Sequence, residues 1–140
     1  MQVNETIVYL IRHGETDWNA ERRLQGHQDV PLNSLGLQQA EKVALRLAKE
    51  RLDAIYSSDL QRARRTAERI AYYQQKTVML HRGLRERSYG PFEGKRWDEI
   101  PGYREGLRSR RLRIEGAESW EQMQRRAVDT LTEIVTRHPG

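Results

Sequence analysis

The sequence predicts an α/β fold, a three-layer α/β/α arrangement around a mainly parallel sheet, and three observations carry that prediction. Short runs rich in β-branched and aromatic residues (Thr6 to Ile11, Leu52 to Tyr56, Thr77 to Leu80) alternate with longer segments of helical period. Strand, helix, strand, helix, strand at these spacings fits parallel strands joined by right-handed crossovers. With 140 residues the chain suits a single domain, 1–140, that can bury a core, and no repeat, low-complexity tract or linker divides it.

The elements follow in order. Thr6 to Ile11 is long enough for a buried strand and too short for a helix, and it empties into Arg12-His13-Gly14. Glu21 to Leu32, with Gly26, Pro31 and many polar residues, reads as a long surface loop. Asn33 or Ser34 caps a helix to about Arg51, with Leu37, Ala40, Ala44, Leu47 and Ala48 on one face. Leu52 to Tyr56 is a second buried strand. Asp59 is expected to cap the next helix, to about Tyr73, whose apolar side carries Leu60, Ala63, Ala67, Ile70 and Ala71. After the third strand, Gly83 to Gly94 is irregular and punctuated by Gly and Pro. Short helices are expected over Trp97 to Ile100 and Tyr103 to Leu107. Ser119 and Gln122 form a capping box before a last helix to about Arg137, with Trp120, Met123, Ala127, Leu131 and Ile134 in register.

Composition narrows the class of molecule. The chain has no Cys, which excludes a disulfide framework and a thiolate metal site. No segment approaches 18 apolar residues and no apolar run follows a basic start, so a soluble, cytoplasmic protein without membrane contact is expected. The net charge of +5 is carried almost wholly by Arg, the lysines being Lys42, Lys49, Lys76 and Lys95. A basic balance suits small phosphorylated compounds or nucleic acid, and equally a general preference for Arg. Nucleic acid is the weakest of these readings, because the Arg residues are scattered with no aromatic stacking platform.

A strand that empties into a loop at its carboxyl end is where open α/β sheets place ligands. Arg12 offers a planar five-donor fork suited to phosphate, His13 a ring nitrogen that is nucleophilic near neutral pH, and Gly14 a backbone without a Cβ in the way. Alone, Arg-His-Gly is equally compatible with a solvated turn. Two further features point to the same rim. Arg62 falls in the first turn of the helix after strand two, at a terminus that attracts anions, and Glu86 follows strand three. Two guanidinium groups, a His and a Glu around one opening suit phosphoryl transfer. His27, His81 and His138 show no ligand spacing, and no metal or cofactor is suggested.

Four spaced blocks now stand in order: Leu10-Ile11-Arg12-His13-Gly14-Glu15-Thr16; Leu24 to Leu32 with Gly36; Tyr56-Ser57-Ser58-Asp59-Leu60-Gln61-Arg62-Ala63 with Thr66-Ala67; and Leu84-Arg85-Glu86 with Glu93-Gly94. With Gly116-Ala117-Glu118-Ser119, they resemble the histidine phosphatase superfamily, also called phosphoglycerate-mutase-like, along the whole chain. The resemblance implies that His13 attacks phosphorus and carries the phosphoryl group, that Arg12 and Arg62 bind its oxygens, that Asn19 adds a hydrogen bond, and that Glu86 protonates the leaving alkoxide. It implies no metal. The family pattern also includes a second His, in a Ser-His-Gly-like motif on a strand after the last helix, which this sequence does not contain before its end at His138-Pro139-Gly140. The fold is therefore expected to lack the C-terminal part and to leave an open sheet edge beside the first strand. The form is expected to be weakly active or inactive alone, unstable, or completed at that edge by a second copy or a complementing chain.

Within the family, Gln25 to Leu32 and the compact Tyr89 to Gly94 stretch look like the phosphatase branch, acting on a small phosphorylated metabolite and binding inorganic phosphate. A phosphoglycerate mutase, usually longer in the lid, is the alternative, and alpha-ribazole-phosphate hydrolysis is a narrower option. A catalytically silent phosphate-binding or interaction module is the alternative from another class.

Overall fold

A computed structural model describes residues 5–140. Its densest part is built from two helices and a pair of parallel strands. Helix α2 (Ser34–Leu47) and helix α3 (Gln61–Gln74) lie against each other, and the parallel pair β1 (Ile55–Ser57) and β2 (Val78–Leu80) packs on α3. Alanines at the helix contact (Ala40 and Ala44 on α2, Ala67 and Ala71 on α3) are buried, and their small side chains allow close approach. Leu47, Ile55 and Ile70 fill the space around them, flanked by Val43, Leu52, Tyr73 and Val78. The helix caps explain the boundaries. Asn33 caps α2 by accepting from the Gly36 N–H, as its sequence predicts. Helix α3 ends on Gln75 in the left-handed region, where the Gln75 and Lys76 N–H groups return to the last turn.

A second apolar cluster, Leu24, Tyr89, Ile100 and Ile114, gathers the irregular half of the chain around Phe92, Trp97, Tyr103 and Leu112. Single 3₁₀ turns at Arg82–Leu84, Gly90–Phe92 and Trp97–Glu99 and helix α4 (Tyr103–Arg108) punctuate it. Helix α5 (Trp120–Arg137) carries the predicted Ser119–Gln122 capping box and meets the turn after β2. Its predicted apolar face is half-buried, and only Thr130 on it is fully buried. No described helix is long and apolar enough to cross a membrane.

The α/β class holds, while helix α2 stops at Leu47, short of the expected Arg51, and two further local expectations fail. The segment Thr6 to Ile11 forms no strand: among the described residues the sheet is the two-stranded β1–β2 pair, and neither strand pairs with this segment. Its five residues from Ile7 to Ile11 are all exposed, so the segment has strand-like residues but no ladder partner and no buried face. Asp59 does not cap α3. Its carboxylate is held by both arms of Arg85, at 2.7 and 2.6 Å, and the Gln61 N–H is satisfied instead by Asp29 Oδ1 from the Gly26 loop, at 2.7 Å. The polar stretch after Gly14 contains a short helix, α1 (Asp17–Ala20), which the apolar periodicity does not reveal because none of its residues is buried.

Candidate active site

The loop Arg12 to Thr16 is fastened from both sides. An added Cβ on Gly14 would lie 2.3 Å from the Gly36 carbonyl oxygen, and one on Gly36 would lie 2.0 Å from that of Glu15, so two backbones touch where the loop crosses the start of α2. The Glu15 N–H donates to Gln39 Oε1, and the Gly14 N–H donates to Thr66 Oγ1, which in turn donates to the Arg62 carbonyl. Thr16 is fully buried: its hydroxyl donates to Gln25 Oε1 at 2.6 Å and accepts the Asn19 N–H in a reciprocal capping box. The catalytic candidate is thus set by hydrogen bonds to α2, α3 and α1 together, with no sheet required.

His13 is half-buried. Its Nδ1 lies 2.6 Å from the Gly14 carbonyl oxygen, which can only accept, so Nδ1 carries the proton and Nε2 keeps a free lone pair. Burial lowers its pKa most; the bond to Gly14 opposes this, and the charges of Arg62 and Arg12 push it further down. A neutral, correctly tautomerised imidazole is the form a nucleophile needs.

Arg62 is 2% exposed. Its Nη1 donates to the Gln28 carbonyl and its Nη2 to that of Gly26, both at 2.7 Å, and Nη2 reaches Glu86 Oε2 at 3.4 Å. Gly26 sits at positive φ, the conformation that lets this loop fold over the guanidinium. The Arg62 Nε–H has no partner among the described residues and is a donor that a phosphate oxygen could take. Arg12 is exposed; it acts on both His13 and Glu86 through its charge. Glu86 stands at the mouth, its side chain 40% exposed, yet desolvation raises its pKa against the opposing pull of Arg62, Arg12 and Tyr89. His13, Arg12, Arg62 and Glu86 are therefore brought together. Asn19 is fixed differently: its Oδ1 accepts the Thr16 N–H at 3.0 Å, and its Nδ2 has no partner among the described residues.

An open hollow of about 240 Å³, lined by Arg12, His13, Gly14, Gln39, Ala40, Val43 and Thr66, adjoins the loop on the α2 side and shares neither Arg62 nor Glu86. Among the described residues no three His, Asp or Glu side chains gather to hold a metal.

Sequence reasoning missed several supports. Thr66, one turn after Arg62, links the His13 loop to α3, and its i+4 spacing was the available signal. Glu93 accepts from the His27 and Tyr89 N–H groups and so ties the Gly26 loop to the Glu86 segment. His27, which shows no ligand spacing in the sequence, places Nε2 2.9 Å from the Glu86 carbonyl oxygen.

Three kinds of likeness accompany this geometry. The family described as histidine phosphatase superfamily (branch 1) matches residues 8–140. The chain is 42% identical to phosphoglycerate mutase-like protein 4 of Arabidopsis thaliana, covering 95% of this chain and 62% of that protein. It is 40% identical to the metal-independent phosphoserine phosphatase of the same plant, covering 96% and 60%. Among solved structures, mycobacterial glucosyl-3-phosphoglycerate phosphatase complexed with VO3 superposes with a TM-score of 0.84 at 32% identity, covering 91% of this chain and 63% of that one. The chain thus spans about three fifths of the length of these relatives.

Proposed function

The chain belongs to branch 1 of the histidine phosphatase superfamily, and from that premise we propose that its chemistry is phosphomonoester hydrolysis through a phosphohistidine on His13. The observation that carries this reading is the His13 ring itself, with Nδ1 spent on the Gly14 carbonyl and Nε2 left beside two guanidinium groups. In the first half-reaction Nε2 attacks phosphorus, and the bond from phosphorus to the ester oxygen breaks. The leaving alkoxide takes its proton from Glu86, a carboxyl whose raised pKa keeps it protonated beyond the usual range. In the second, Glu86 accepts a proton from water, the oxygen attacks phosphorus, the P–N bond breaks and inorganic phosphate leaves. Arg62 and Arg12 hold the phosphoryl oxygens, with bonds that strengthen as charge spreads in the transition state. Asn19 Nδ2 is assigned the remaining polar contact to the phosphoryl group.

The substrate is proposed to be a small phosphorylated metabolite. The names of the relatives include both phosphatases and a mutase-like protein, so the test must separate the two. The chain is incubated with p-nitrophenyl phosphate and, separately, with 3-phosphoglycerate, and inorganic phosphate and the mass of the His13 peptide are followed. Phosphate release with a phosphorylated His13 peptide, both lost in His13→Asn, is the expected outcome. Isomerisation of phosphoglycerate that needs a bisphosphate primer would make it a mutase. Phosphate binding with no phosphohistidine would make it a silent binding module.

A further inference from the structure

We propose that Arg126, on α5, is a positioning residue for Glu86, locked in that role by Glu118; the claim rests on Glu86 being the general acid. The segment that carries Glu86 is irregular, and only one 3₁₀ turn, Arg82–Leu84, precedes it. Its carbonyl groups therefore have no sheet to satisfy them. Arg126 supplies what a sheet would: Nη1 donates to the Gly83 carbonyl at 2.9 Å and the Arg85 carbonyl at 2.7 Å, and Nη2 donates to that of Glu86 at 3.2 Å. The same guanidinium is gripped from behind by Glu118, whose two oxygens accept from Nε at 2.8 Å and Nη2 at 2.7 Å.

Glu118 holds the far side of the segment as well. Its Oε2 accepts the Ser88 N–H, its own N–H donates to the Ser88 carbonyl, and its carbonyl accepts from Arg87 Nε. Glu86 is thereby suspended between two arginines with different tasks, its carbonyl oxygen also meeting His27 Nε2 at 2.9 Å. Arg62 touches its carboxylate from α3, while Arg126 touches only backbone from α5. Arg126 acts through the angle and depth at which the carboxyl enters the site, and so through the burial that raises its pKa. A lysine has no planar fork and cannot span three carbonyls and a carboxylate together.

The test uses the full chain with Arg126→Lys and, as a milder change that keeps the size of the partner, Glu118→Gln. Two esters are compared: p-nitrophenyl phosphate, whose leaving group needs little protonation, and glycerol phosphate, whose alkoxide needs a full proton. Arg126→Lys is expected to lower kcat on glycerol phosphate by about tenfold to a hundredfold, a share of what general acid catalysis contributes. The loss on p-nitrophenyl phosphate is expected to be several-fold smaller, with KM little changed on either ester. Equal losses on both esters, or no loss on glycerol phosphate, would overturn the proposal. Should the parent chain hydrolyse neither ester, the enzymatic reading itself fails. The positioning claim is then decided by ¹³C NMR titration of the Glu86 carboxyl: its pKa falls toward the ordinary 4.5 in both variants if Arg126 sets its depth, and stays put if it does not.

Discussion

Leu52 to Tyr56 and Thr6 to Ile11 are alike on paper, short runs of apolar and β-branched residues, and they meet opposite fates. The first contributes β1, with Ile55 buried under α3 and a parallel ladder to β2. The second stays unpaired, with Ile7 78% and Leu10 76% exposed. Strand propensity describes a fit to a pleated, covered surface, and where neither neighbour nor cover is present the same residues form no strand. A sharper contrast lies a few residues on. The exposed segment runs directly into Gly14 and Thr16, among the most tightly held residues of the molecule.

The largest expected effect tests that junction. Gly14→Ala places a methyl against the Gly36 carbonyl, where backbone meets backbone and neither can swing aside. Overpacking of this kind costs about 1–3 kcal/mol or more, and the shift it forces moves the His13 ring from its Gly14 bond. Phosphohistidine formation is expected to fall by at least about a hundredfold, as misplacement of a reacting group does; rapid-quench phosphorylation measures it. A variant that keeps full reactivity would show the close approach to be dispensable.

Next comes the covered half. Ile70→Ala opens a cavity between α3, α2 and β1 and is expected to cost about 2–5 kcal/mol, read as a drop in the urea midpoint. A loss below about 1 kcal/mol would mean that this half is no better packed than the exposed segment.

The site between the two halves gives a prediction in pH. His13 has a pKa lowered from 6.5 chiefly by burial, and Glu86 one raised from 4.5 for the same reason. The proposed mechanism requires His13 neutral and Glu86 protonated, so turnover is expected to fall on the acid side as His13 protonates and on the alkaline side as Glu86 ionises. Between the lowered value and 6.5 the unfolded chain binds more protons at His13, so stability from this group drops as pH falls through that window. Above 4.5 the unfolded chain releases the Glu86 proton first, so stability drops as pH rises to the raised value. Glu86→Gln is therefore expected to abolish turnover of glycerol phosphate while raising the thermal midpoint at pH 7. A lowered midpoint would show that the ion pair with Arg62 outweighs desolvation.

Much of this was legible beforehand because it depends on local chemistry. The caps at Asn33 and Ser119, the alanine faces of α2 and α3 and the gathering of Arg62 and Glu86 near His13 follow from spacing and motif. What was illegible depends on distant partners. Asp59 reads as a cap until Arg85, 26 residues away, claims its carboxylate, and Asp29 reads as loop until it caps α3. Arg126 sits on a helix whose periodicity says only that one face is apolar, and nothing local announces three carbonyls 40 to 43 residues upstream. The Thr6 to Ile11 segment is illegible for a different reason: its residues specify a strand, and its surroundings decide whether one forms.

The smallest expected effect tests the role of those surroundings directly. Leu10→Lys would be ruinous in a buried strand, because an unpaired ammonium in a core either loses its proton or unfolds the chain. Here Leu10 is exposed on the surface, and the lysine keeps its charge in water. The expected change in unfolding free energy is within about 0.5 kcal/mol, as for surface substitutions generally. Solubility is expected to rise, since the change interrupts a run of exposed apolar side chains. Urea unfolding of Leu10→Lys beside Ile70→Ala measures both halves of the molecule on one scale. A destabilisation of Leu10→Lys comparable to that of Ile70→Ala would mean that, in solution, the segment from Ile7 to Ile11 is covered after all, by this chain or by a second copy of it, and a matching dependence on protein concentration would tell the second from the first.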